Sequence, residues 1–124
     1  MLFRSLLAQL IEVYQNKFHT EPPREDTGFE FSPEDYSNRG LSYLNLEQYE
    51  RAIVDFDRAI ALDPSFAPAY TNKGNALSHY GRFEEGIDNY TESLKLDGNS
   101  VCALTNRGVA FIELGLWTIH LNLS

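Results

Sequence analysis

The sequence predicts an all-α solenoid of stacked helix pairs, and three observations carry that prediction. The tripeptide Asn-Arg/Lys-Gly recurs as Asn38-Arg39-Gly40, Asn72-Lys73-Gly74 and Asn106-Arg107-Gly108, with the glycines 34 residues apart each time. Apolar residues inside each period follow helical spacing. Turn signals fall at the same points of each period, at Glu47-Gln48 and Gly81-Arg82 within units and at Asp63-Pro64 and Asp97-Gly98 between them. A period of this length marks a tandem array whose units bury their apolar faces against one another.

Residues 1–32 come first and are out of phase with the repeat. Leu2, Phe3, Leu6, Leu7, Leu10, Val13, Tyr14 and Phe18 fit one helical face, expected to cap the first unit. Gln9 and Glu12 interrupt the apolar run, so it reads as neither a signal peptide nor a membrane span. Pro22-Pro23 ends any helix, and 19–32 reads as an acidic, mobile linker. Ser32-Pro33-Glu34-Asp35 is a helix start, with a capping hydroxyl, a proline suited to the first turn and carboxylates at the positive helix end.

From there the spacing predicts helices near 34–46 and 50–62 (unit one, 33–66), then 68–80 and 84–96 (unit two, 67–100). A single helix near 102–114 follows in a truncated unit three (101–124). Gly40 and Gly74 are expected to let the partner helix approach, opposite the small Ala52. Tyr36, Tyr43, Phe56, Tyr70 and Tyr90 are expected to fill the layers. Unit three follows the pattern to Leu116-Trp117 and then departs from it, its second helix missing. Leu104, Phe111, Ile112 and Trp117 are therefore expected to be incompletely covered, a candidate surface for homodimerisation or for a partner.

The pattern resembles the tetratricopeptide repeat family. Tyr36, Gly40, Tyr43, Ala52, Phe56, Ala59 and Pro64 stand where that family has its signature residues, and Tyr70, Gly74, Leu77, Gly81 and Tyr90 follow in step. Gly86, Ser93 and Gly98 depart from it, replacing two small alanines and the closing proline. The resemblance implies a helical superhelix, with the first helix of each pair lining a concave groove that holds another polypeptide.

Composition narrows the function. The chain has 124 residues and a net charge of −8, with ten scattered Lys and Arg. Such a chain has no general affinity for nucleic acid or an anionic membrane. The one cysteine, Cys102, excludes an internal disulfide and fits a reducing, cytoplasmic setting. The sequence contains no HExxH, GKS/T, GxSxG or CxxC motif. No spacing joins His19, His79 and His120 into a metal site. The expectation is a protein that is not an enzyme, with no cofactor and no metal, binding a peptide or protein partner.

The candidate peptide-binding residues are Asn38, Asn72 and Asn106, with Thr71, Thr105, Asn75 and His79 beside them. An amide offers both donors and an acceptor, so a ladder of them can hold an extended backbone. In some members of the family asparagines at this position contact peptide backbone, which is what the resemblance implies for these three. A subgroup of the family captures a terminal carboxylate with Lys and Arg. The corresponding positions here are Ser37, Leu41, Asn72, Cys102 and Asn106, and only Asn72 matches. Arg39, Lys73 and Arg107 are rotated off that line and are expected to snorkel or pair with acidic neighbours. Two other readings stay open: a self-assembling structural module, and the repeat portion of a larger enzyme.

Overall fold

The computed structural model describes residues 31–123, with side chains through Leu116. The expected N-terminal helix over 2–18 lies outside the described residues. Five helices follow in order: α1 (Pro33–Asn45), α2 (Tyr49–Leu62), α3 (Ala67–His79), α4 (Phe83–Leu96) and α5 (Val101–Leu123). Among the described residues no helix is long and apolar enough to cross a membrane.

Each boundary has a local cause. The Ser32 hydroxyl accepts the Asp35 N–H at 3.1 Å, and the Asp35 carboxylate accepts the Ser32 N–H at 3.0 Å, a reciprocal capping box. The two intra-unit turns each use a left-handed residue, Glu47 at φ 60° and Gly81 at φ 86°. Extended backbone at Asp63 stops α2 before Pro64, and Asp97 stops α4 at the equivalent point. The Ser100 hydroxyl accepts the Ala103 N–H at 3.2 Å and starts α5.

The helices pair as antiparallel neighbours, α1 with α2 and α3 with α4, and α4 packs on α5. The first helices of successive units also touch, α1 against α3 and α3 against α5. Glycine governs how closely each pair approaches. A Cβ at Gly40 would lie 2.5 Å from the Phe56 ring, and one at Gly74 would lie 2.6 Å from the Tyr90 ring. Alanines 52, 59, 69, 76, 103 and 110 are buried where helices cross.

Three expectations need correction. Phe31 is buried against Tyr36, with ring centroids 5.0 Å apart, so the end of the expected mobile linker is part of the core. Tyr70 is only half-buried, its hydroxyl donating to the Pro64 carbonyl at 3.2 Å. The last helix does not end near 114 but continues to Leu123. Gly115 stands where Gly81 turns the chain, yet it stays helical. The second helices of units one and two begin with Glu50 and with Glu84-Glu85, carboxylates that stabilise a new helix N-terminus. Trp117-Thr118-Ile119 offers none, so nothing favours a fresh start over continuation.

Two of the three departures in unit two, Ser93 and Gly86, are accommodated by their neighbours. The Ser93 hydroxyl lies 2.6 Å from that of Thr71 and donates to the Ala67 carbonyl at 3.1 Å, so the polar atom is satisfied where unit one has Ala59. A Cβ at Gly86 would lie 2.6 Å from the Ser78 hydroxyl, so glycine fits the space that Ser78 leaves.

Candidate functional site

The candidate site is the face formed by α1, α3 and α5. Its amides sit one helix apart and are linked across the helices. Asn72 Nδ2 donates to Ser37 Oγ at 3.3 Å, joining α3 to α1. Asn106 Nδ2 donates to Asn75 Oδ1 at 2.9 Å, joining α5 to α3. The Tyr90 hydroxyl donates to the same Asn75 oxygen at 2.6 Å. Burial raises the Tyr90 hydroxyl above the usual tyrosine range, so it remains a proton donor at neutral pH.

These bonds fix what the amides can still offer. Asn75 Oδ1 accepts two hydrogen bonds, which directs its NH2 group away from the Tyr90–Asn106 contact. Asn106 commits one amide hydrogen and keeps its carbonyl. The half-buried pair thus keeps a free donor on one amide and a free acceptor on the other. Asn38 is exposed at the α1 end of the same line. His79 is exposed at the α3 end and stacks on Tyr49, centroids 6.0 Å apart. An open pocket of about 430 Å³ lies between α3 and α5, with His79, Phe83, Asn106, Val109 and Glu113 in its walls.

The two threonines part company. Thr105 is exposed, whereas Thr71 is buried and bonded to Ser93 on α4. Thr71 therefore holds α3 to α4 and does not open onto the face.

The basic residues beside the glycines do not serve this face. Arg39 is fully buried, and its Nε and Nη2 donate to the two Asp55 carboxylate oxygens at 2.7 Å each. Its guanidinium stacks 4.5 Å from the Phe31 ring centroid. Lys73 reaches back to Asp57 at 2.7 Å, and Arg107 reaches back to the Thr91 hydroxyl at 3.2 Å. A buried bidentate pair was not legible from charge alone. The available signal was position: Arg39 and Asp55 are 16 residues apart, the same offset as Gly40 to Phe56.

Two family models, each described as tetratricopeptide repeat, match residues 33–66 and 56–88. No curated protein matches the chain. Among solved structures it is similar to the second TPR of Spaghetti (RPAP3) bound to HSP90 peptide SRMEEVD. That match has 29% identity, covers 84% of each chain and has a TM-score of 0.66. The second TPR domain of human RPAP3 in complex with HSP70 peptide SGPTIEEVD matches at 28% identity and TM-score 0.62, over 64% of this chain and 66% of that one. MamA matches at 27% identity and TM-score 0.65, over 68% of this chain and half of that one.

Proposed function

We propose that this chain, whose residues 33–88 match tetratricopeptide repeat models, is an interaction module holding an extended peptide along the α1–α3–α5 face. The observation that carries the reading is the amide line Asn72, Asn75 and Asn106, held by Ser37 and Tyr90. Side chains fixed in advance lose little entropy when a ligand arrives, which favours binding. Similar domains in complex with chaperone peptides support the same use of the fold.

The ligand class differs from an acidic tail. The clamp positions hold Ser37, Leu41, Asn72, Cys102 and Asn106, and Arg39 is taken by Asp55. Glu113 adds a negative charge to the pocket. The face suits a backbone read by amides, with a neutral or basic side chain directed to the pocket, and not a C-terminal carboxylate.

The test is selection of binders from a displayed random octapeptide library, followed by titration against Asn72→Ala/Asn106→Ala. Each lost hydrogen bond contributes about 0.5–1.5 kcal/mol, so affinity should fall roughly tenfold. Each side chain also makes one inter-helix bond, so the melting temperature should fall by several degrees while the fold is retained. Unchanged affinity in a folded double variant would remove the groove assignment. Binders that lose affinity when their C-terminus is amidated would refute the ligand class.

A further inference from the structure

The outer face of α5 carries a seam that none of the described residues covers. Leu104, Gly108, Phe111, Ile112 and Gly115 lie on one stripe of that helix, three and four residues apart. Leu104 is 46% exposed, Phe111 54% and Ile112 62%. This is the side on which α1 and α3 meet the second helix of their own units. There, Gly40 and Gly74 each receive an aromatic ring, whereas a Cβ at Gly108 would meet nothing within 4 Å. Unit three therefore presents an empty notch.

We propose that a second copy of this chain fills the notch, α5 pairing antiparallel with α5 about a twofold axis centred between Val109 and Ala110. The α3–α4 pair supplies the template. Thr71 meets Ser93, Gly74 meets Tyr90 and Ser78 meets Gly86, contacts that step forward along one helix and back along the other. Applied to two copies of α5, one such register sets each Phe111 over the partner's Gly108. The same axis sets each Leu104 over the partner's Gly115. Leu104 and Phe111 then face glycines, the contact in which a ring closes α1–α2 and α3–α4, and Ile112 lies over the aliphatic stem of the partner's Arg107.

The charge pattern agrees with this occupant. The chain carries a net charge of −8, so two copies repel over most of their surfaces, but the stripe itself has no charged residue. Leu104, Phe111 and Ile112 form a seam smaller than a standard specific interface, so the pairing belongs to the weak, concentration-dependent class. The groove residues Asn106, Val109 and Glu113 lie on a different stripe, so the pairing stands independently of peptide binding.

The experiment is light scattering over a concentration series, with spin labels on Cys102, the sole and exposed cysteine. The proposal predicts a dimer, with Phe111→Glu raising its dissociation constant at least about tenfold. Position 102 pairs with position 117 in this register, so the labelled Cα atoms should be about 24 Å apart, from a rise of ~1.5 Å per residue and an interaxial distance of ~9 Å. Phe111→Ala, checked by circular dichroism for retained helix, should also weaken the dimer. A monomer at every concentration, which is the result if another segment of the chain covers the seam, overturns the proposal. So does a dimer indifferent to both Phe111 variants, or labels about 10 Å apart as in a parallel pair.

Discussion

α3 and α5 occupy equivalent places one period apart and carry nearly the same tripeptide, yet their surroundings are opposite. On α3, Leu77 is 1% exposed and Gly74 faces the Tyr90 ring. On α5, Phe111, the equivalent of Leu77, is 54% exposed and Gly108 faces open space. The inner sides of both helices match, with Ala69 and Ala103 both fully buried. The repeat pattern in the sequence therefore specifies where each residue points. Whether that direction is core or surface depends on whether the next helix folds back.

The sharpest way to break the closed half is at its buried ion pair. Asp55→Ala leaves the Arg39 charge buried without its partner, and the chain should lose about 3–5 kcal/mol in chemical denaturation. Replacing both residues with apolar side chains of similar volume should restore most of that loss. A loss below 1 kcal/mol for the single variant would mean that Arg39 reaches water.

A smaller effect compares like with like. Thr71→Ala removes a buried hydroxyl bonded to Ser93 and should cost about 1–2 kcal/mol. The same change at the exposed Thr105 should stay within about 0.5 kcal/mol. Equal effects at the two sites would erase the distinction between the helices.

The smallest effect appears in alkali. Burial raises the pKa of Tyr43 and of Tyr90 above the usual 10.0, and both belong to the closed layers. A tyrosine whose folded pKa is raised holds its proton longer in the folded state. Its contribution is fully present below about pH 10 and is lost as pH rises through the folded value. Melting temperature should fall above that pH in the parent chain, and fall less in Tyr43→Phe. An identical decline in both would assign the loss to other groups.

Much of this was legible before the structure. The 34-residue step placed the starts of all five helices within one residue, because the turn signals recur at the same points of each period. The glycines permit close approach as their volume predicts, but the groups they face are the Phe56 and Tyr90 rings and not the small Ala52. The rest depended on neighbours that periodicity does not contain. Pairing with an acidic neighbour is what the sequence suggests for Arg39, but its full burial under Phe31 and its bidentate bond to Asp55 depend on packing. Thr71 read as a groove residue by its distance from the glycine, but the serine at 93 draws its hydroxyl toward α4. The spacing predicts an end to the last helix near 114, but without carboxylates after Gly115 the helix continues to Leu123.

The most direct test of this contrast is to melt Gly40→Ala and Gly108→Ala side by side, at a concentration where the chain is monomeric. A Cβ at 40 would lie 2.5 Å from a fully buried ring, and overpacking of about 1–3 kcal/mol should outweigh the ~1 kcal/mol of helix propensity gained. A Cβ at 108 meets nothing, so only the propensity gain of about 0.5–1 kcal/mol remains. The account predicts a lower melting temperature at 40 and a higher one at 108. The same sign at both sites would contradict it, because α5 would then be as closed as the helices before it.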